Sequence, residues 1–312
     1  MAGGRQFKKN ILMNIVIIGF GSIGSRHAEI IKKNFKFAKL FIVSRRKIYF
    51  KGAKRLKDLE EIKKVNPKYI IVATETSRHF FNLAFLEKNF KNLNILVEKP
   101  LFNSFKKLKI KKNKVFIGYN LRFHPKILFL KKYIIKNKPI DVKFITNSYL
   151  PSWRKTNYEL NYSSKKKLGG GVLLDLSHEL DLATWIFGKI RIKHCIVEKN
   201  SNLNISAEDT CKLLGKIKNA NFFMDLSYYS KNEIRQIYVD TKKNSLIIDL
   251  KKDTLQIDSN IKKIDSKLKN LEKTYLDMHK SIIYKKKMNV LCSFSEGQKI
   301  NKLIDKIKGN IK

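Results

Sequence analysis

Three sets of residues have the types and spacing to do chemistry. Gly19, Gly21 and Gly24 form the pattern GxGxxG within GFGSIG. Lys99 stands in LVEKPL, where an apolar run meets Pro100. Asp175 and His178 stand three positions apart in GGGVLLDLSHELDLATWIFG. Glycines so spaced let a backbone turn tightly and approach a phosphate. A lysine in a partly desolvated place can exchange protons. A histidine relays a proton near neutral pH, and a neighbouring carboxylate sets its tautomer and charge.

The elements around the glycines decide what the pattern means. The apolar run NIVIIG from Asn14 reads as a buried strand, and SIGSRHAEIIKKNF carries a helical stripe of Ile23, Ala28, Ile30 and Ile31. In a strand–loop–helix setting, Gly19 makes the turn, Gly21 admits a pyrophosphate and Gly24 lets helix and strand pack closely. Ser22 and Ile23 then bring the first helical amides, and the helix dipole, to the phosphates. The competing reading is a plain strand–helix corner.

An acid about 20 residues beyond the glycines would hold an adenosine 2′-hydroxyl. Ser44, Arg45 and Arg46 stand there instead. A hydroxyl and guanidinium groups suit a 2′-phosphate, so NADP(H) is preferred as cofactor, with NAD(H) the alternative.

The first third continues with KLFIVS, KYIIVAT, NILVEKP and KVFIGYN as strands. KDLEEIKKV, RHFFNLAFLEKNF and SFKKLKIKKN read as helices between them. Apolar strands alternating with helices predict a parallel sheet covered on both faces. Lys99 then lies at the carboxyl edge of this sheet, where open α/β folds bind ligands.

The pattern changes after Arg122. A strand is expected over Asp141–Tyr149, then an irregular polar segment, Pro151–Lys167, then a helix ending at Gly188. Asp175 and His178 share a face of that helix, as do His178 and Asp181. Asp181 reads as structural and Trp185 as core. From Lys193 to Ile257 strands alternate with polar turns, which suits an antiparallel sheet, and the tail from Leu271 reads as helical. The fold class is α/β, a Rossmann sheet followed by an α+β domain with a mainly antiparallel sheet. The expected division is 13–122 for NAD(P) binding and 123–312 for substrate binding and oligomerisation. Residues 1–12 are expected to be a leader, disordered or left from cloning, with Met13 an alternative start.

The 67 basic and 26 acidic residues leave a formal charge of +41. The lysines are sprinkled through all elements rather than held in one tract, and no basic recognition helix or RNA-binding motif appears. Compositional bias at surface positions is the expected cause, and no specific nucleic-acid partner is expected. No run approaches the roughly 20 apolar residues of a membrane helix, so membrane insertion is not expected. Cys195, Cys211 and Cys292 are scattered without a CxxC, which predicts a cytoplasmic protein with neither disulfide framework nor metal site.

GFGSIG, ATETSRHFFNLA, LVEKPL, GYNLRFHP and GGGVLLDLSHELDLATWIFG occur in this order. Together they resemble the Gfo/Idh/MocA oxidoreductases, the glucose–fructose oxidoreductase and inositol dehydrogenase type. The resemblance spans most of residues 14–188. It implies pyranose, cyclitol or nucleotide-sugar substrates and a homodimer or homotetramer. It also implies catalytic roles for Lys99, His178 and Asp175. Glu98 would orient Lys99, and Thr74, Thr76, His79, Glu98 and Lys99 would bind the cofactor near its nicotinamide. Most of the family places the Asp four residues before the His. The separation of three is similar to a subgroup associated with bacterial surface-glycan biosynthesis. Arg122, His124, Trp153, Arg154 and Tyr162 are candidate substrate contacts, since aromatic and guanidinium groups suit sugars and their phosphates. The rival is a dinucleotide-binding regulatory or redox-sensing subunit without turnover.

Overall fold

The computed structural model describes residues 12–262 and 270–309. Residues 1–11 of the expected leader lie outside the described residues. The first part builds a sheet from β1 (Met13–Ile18), β2 (Ala38–Val43), β3 (Ala53–Leu56), β4 (Tyr69–Val72), β5 (Asn94–Val97) and β6 (Lys114–Ile117). Helices α1 (Ser22–Asn34) and α2 (Thr76–Asn89) connect strands across it. Ile15, Val16 and Ile17 of β1 and all four residues of β4 are at most 1% exposed, as an apolar run covered on both faces requires.

The spatial order is β6-β5-β4-β1-β2-β3, all parallel. The order reverses between β1 and β4. That is the switch point at which doubly wound sheets open a crevice at their carboxyl ends. The turns after both strands carry the loop from Gly19 and the segment from Ala73.

The second part has α3 (Pro125–Lys136), β7 (Pro139–Tyr149), the single turn α4 (Val172–Asp175) and α5 (Ser177–Phe187). Strands β8 (Ile190–Glu198), β9 (Thr210–Ile217), β10 (Ala220–Ser227) and β11 (Tyr229–Thr241) follow. Then come β12 (Ser245–Asp249), β13 (Thr254–Ile257) and β14 (Asn260–Lys262). They form one sheet in the order β14-β13-β12-β11-β7-β10-β9-β8, antiparallel except for β7 with β10. Phe144, Phe222, Met224, Ile237 and Val239 are buried on one face of it. The opposite face leaves Ile196 and Leu214 about half exposed.

The chain then returns to the first sheet. Helix α6 (Asn270–Tyr284) packs against α1, β15 (Cys292–Ser293) pairs antiparallel with β6, and α7 (Phe294–Lys308) follows.

Three local expectations are corrected. SFKKLKIKKN is extended coil rather than helix. Leu108 and Ile110 turn inward at a spacing of two, while the Lys111 and Lys112 amides bond the Glu87 carboxylate at 2.7 Å. The helix over KDLEEIKKV tightens to a 3-10 segment, Glu60–Val65, ended by Asn66 in the left-handed region. The expected single helix around Asp175 and His178 breaks at Leu176 (φ −95°, ψ 23°).

Candidate active site

The glycine loop is built as its spacing predicts. Gly19 has φ +96°, and a Cβ there would come 2.7 Å from the Ala73 carbonyl oxygen. A Cβ on Gly24 would come 2.3 Å from the Gly19 oxygen, so only glycine lets α1 sit this close. A Cβ on Gly21 would meet nothing within 4 Å. It would project into the cradle instead. Gly21 caps α1 without a side-chain hydrogen bond, and the first turn holds no acid. Ser22, Ile23 and Gly24 thus open a helix end with amides available to an anion, and the residues fit a dinucleotide pyrophosphate.

Beyond β2, the Ser44 amide bonds the Leu56 carbonyl and its hydroxyl donates to the Arg46 carbonyl at 3.1 Å. Arg45 and Arg46 are exposed. Arg55 on β3 donates to the Ser44 and Arg45 carbonyls at 3.1 and 3.3 Å and so fixes this loop. The sequence reading missed Arg55 because β3 is short and half-polar.

After β4, Thr74 Oγ1 accepts from Asn82 Nδ2 at 3.0 Å, and Thr76 packs beneath Gly169. His79 is buried. Its Nδ1 faces the Pro100 and Leu101 carbonyls at 3.0 and 3.2 Å, and its Nε2 faces the Thr74 carbonyl at 3.0 Å. Burial lowers its pKa. The ring therefore ties the Thr74 turn to the Lys99–Pro100 turn, whose peptide bond is cis.

Lys99 and Asp175 meet. Lys99 Nζ donates to the Asp175 backbone carbonyl at 2.5 Å. The carboxylate of Asp175 points elsewhere: Oδ2 accepts from the Tyr228 hydroxyl at 2.6 Å, and buried Oδ1 has no donor among the described residues. The Asp175 charge, with burial, pushes the Tyr162 hydroxyl above the usual phenol range. Trp153 stands edge-on to Tyr228 (5.2 Å), and the Arg154 guanidinium lies over the Tyr162 ring (5.4 Å). Three of the five candidate substrate contacts thus gather on Tyr228 and Tyr162, the two tyrosines coupled to Asp175.

His178 follows the break at Leu176. Its ring stands edge-on to Tyr119 (5.4 Å), and its buried Nδ1 has no partner among the described residues. Burial holds its pKa well below the usual histidine range, and the charges of Lys99 and Arg235 add to this. A neutral imidazole beside a lysine is equipped to accept a proton.

Arg235 is a neighbour that the sequence reading did not single out. It lies opposite Thr146 in the β7–β11 ladder, and its Nε and Nη2 reach Glu179 Oε1 at 2.9 and 2.8 Å. Thr146 Oγ1 donates to the same oxygen at 3.0 Å. The signal was present: Arg235, Ile237 and Val239 share one strand face, so a cation accompanies two core residues inward.

Arg122 and His124 are placed differently from the other candidates. Arg122 is 1% exposed. It donates to Asp181 at 2.6 and 2.9 Å and to Glu296 at 2.9 Å, beneath the Trp185 ring. Its donors are engaged in joining the Asn120–Phe123 turn, α5 and α7, which also explains Asp181. His124 caps α3 by accepting from the Lys126 amide and faces Asp253 at 3.5 Å. Burial lowers its pKa to about 4. Glu98 forms no ion pair with Lys99 Nζ among the described residues; the Lys99 amide reaches its Oε2, at 3.3 Å.

A doubly wound sheet with a glycine cradle at its switch point, backed by an open second sheet, defines a two-domain dinucleotide-binding architecture. Residues 13–114 match the oxidoreductase family with an NAD-binding Rossmann fold, and residues 132–310 match that family's C-terminal α/β domain. The chain belongs to the Gfo/Idh/MocA oxidoreductase family. Its fold is similar to an oxidoreductase from Thermotoga maritima, at 16% identity, 96% coverage of each chain and a TM-score of 0.79. It is likewise similar to the WlbA dehydrogenase from Bordetella pertussis, solved with NADH and UDP-GlcNAcA, at 15% identity, 96% coverage of each chain and a TM-score of 0.75. A third is the UDP-N-acetylglucosamine 3-dehydrogenase GnnA from Acidithiobacillus ferrooxidans, at 15% identity and a TM-score of 0.73, covering 96% of this chain and 98% of that one. Among curated proteins no sequence matches significantly. Among the described residues, no helix is long and apolar enough to cross a membrane.

Proposed function

We propose that this protein is a sugar or nucleotide-sugar dehydrogenase or reductase that prefers NADP(H) and also accepts NAD(H). The observation that carries the reading is the meeting of Lys99, Asp175 and a neutral His178 at the carboxyl edge of the first sheet. Solved relatives of the same fold, with sugar-nucleotide names, support the substrate class.

The cofactor, when bound, supplies the hydride acceptor or donor at nicotinamide C4. Gly19–Gly24 hold its pyrophosphate, and Ser44, Arg45 and Arg46 its adenosine 2′-phosphate. Lys99 and His178 hold the reacting hydroxyl and take its proton during oxidation, or return it during reduction. The Tyr228-bound Asp175 anchors Lys99 through its backbone. Trp153, Arg154 and Tyr162 wall the sugar, and Arg235, pinned by Glu179, offers a further cation. The half-exposed Ile196 and Leu214 on the open sheet face support a homodimer or homotetramer. A cytoplasmic role in surface-glycan biosynthesis fits the Asp175–His178 spacing and the free cysteines.

Turnover of a panel of free and nucleotide-linked sugars with NADP+ and NAD+ tests this. Reduction of cofactor by at least one, abolished by Lys99→Ala or His178→Ala, is the expected result. Full turnover in both variants sinks the site assignment, and cofactor binding without any turnover favours the regulatory subunit.

A further inference from the structure

Four buried groups outside the steps above form one hydrogen-bonded chain. Glu98 Oε1 lies 3.0 Å from His27 Nε2 on α1. His27 Nδ1 lies 2.9 Å from His279 Nε2 on α6. His279 Nδ1 lies 2.9 Å from the Tyr69 hydroxyl on β4. His27, His279 and Tyr69 are at most 1% exposed and Glu98 is 6% exposed. A Cβ at position 118 would come 2.6 Å from Glu98 Oε1, so Gly118 makes the room this carboxylate needs.

The chain has a direction. Burial keeps the Tyr69 hydroxyl protonated, and its described partner is His279 Nδ1, so Tyr69 donates. Burial also holds the His279 pKa well below the usual range, and the His27 ring lowers it further. A neutral His279 that accepts at Nδ1 carries its proton on Nε2 and donates to His27 Nδ1. His27 in turn donates from Nε2 to Glu98. Each link has one donor and one acceptor, and the series ends on an accepting carboxylate.

That carboxylate lies at the carboxyl end of β5, next to Lys99 in sequence. Its hydrogen-bond partners are an imidazole and an amide rather than a lysine or arginine. Tyr275 on α6 also feels its charge, with Arg26 stacked on the Tyr275 ring (5.6 Å). A negative charge in a low-dielectric surrounding favours a cationic ring over a neutral one.

We propose that the Glu98–His27–His279–Tyr69 chain holds a negative charge beside Lys99 and biases the protein toward the oxidised form of its cofactor. This rests on the cofactor reading above. Glu98 and the two histidines act as positioning residues for that charge, without touching substrate.

The test is titration of the full chain with NADP+ and with NADPH, followed by calorimetry. Glu98→Gln is expected to lower the NADP+ affinity about tenfold relative to that for NADPH. His279→Phe, which cuts the chain beyond His27, shifts the ratio in the same direction by a smaller factor. Nitrogen-15 NMR of the unaltered protein should find the proton on Nε2 of both histidines, and it carries the test if Glu98→Gln does not fold. Equal effects on both cofactor forms in both variants, or Nδ1 protons on both rings, overturn the inference alone. An unaltered protein that binds neither form overturns the cofactor reading and this inference with it.

Discussion

Lys99 Nζ is bonded to the backbone carbonyl of Asp175, 76 positions away in the chain, and not to its carboxylate. The two side chains therefore have separate tasks. The lysine is located by a backbone group that no substitution at position 175 removes. The carboxylate is located by Tyr228, from a third region of the chain.

Loss of either proposed proton-handling group should be severe. Lys99→Met and His178→Asn are each expected to lower kcat by about 10²- to 10⁴-fold, the usual range for general acid–base groups. Asp175→Asn keeps the Lys99 contact and is expected to lower kcat less than Lys99→Met does. Steady-state kinetics on a sugar that turns over ranks the three, and a larger effect at Asp175 contradicts this division of tasks.

The second and third glycines should fail in opposite ways. Gly24→Ala forces a Cβ against the Gly19 oxygen and is expected to cost about 1–3 kcal/mol of stability. Gly21→Ala meets no protein atom and should leave the thermal midpoint within about 2 °C of the parent. It should nevertheless weaken dinucleotide binding by about tenfold or more, since its methyl fills the pyrophosphate cradle. Thermal melts and cofactor titration on both variants separate the cases.

Cofactor preference should respond to residues in the loop after β2 and on β3. Arg45→Ala and Arg46→Ala are each expected to lower NADPH affinity about tenfold or more with little change for NADH, since a charge-assisted hydrogen bond contributes about 1.5–3 kcal/mol. Arg55→Ala should act in the same direction by loosening the Ser44–Arg45 backbone. Equal losses for both cofactors would place the adenosine elsewhere.

Buried histidines set an acid limit on stability. His79, His124, His178 and His279 all have folded pKa values below that of a free histidine, mainly through burial. The unfolded chain thus binds more protons below about pH 6.5. Stability is fully present above that pH and falls as the pH drops, for His124 until about pH 4. Urea midpoints should decline steadily from pH 7 to pH 4. For His178, Arg235→Gln removes a charge that opposes protonation. The acid limb of kcat/KM for oxidation should then move to higher pH.

The parts that were legible share a physical basis. β1, β4 and β5 are apolar on both faces, so the parallel sheet announced itself. The glycine loop was legible because two of its three positions need what only glycine offers within the protein: a positive φ at Gly19, and at Gly24 a close approach. SFKKLKIKKN misled because its lysines suit a helix surface, whereas a spacing of two and the distant Glu87 carboxylate hold it extended. Arg122 was a candidate substrate contact because a guanidinium suits a sugar or its phosphate. The anions that engage it, Asp181 and Glu296, come from two later helices.

Local sequence made the glycine loop legible, because a strand–turn–helix pattern depends on neighbours a few positions away, and the order of five separated segments made the family legible. Tertiary structure decided the rest. It turned Asp175 from a presumed partner of His178 into a tyrosine-bonded carboxylate, because the helix breaks at Leu176. It also assembled His27, Tyr69, Glu98 and His279 into one chain. No local pattern encodes that chain, because two of its three hydrogen bonds form only when α6 brings His279 back against α1 and β4.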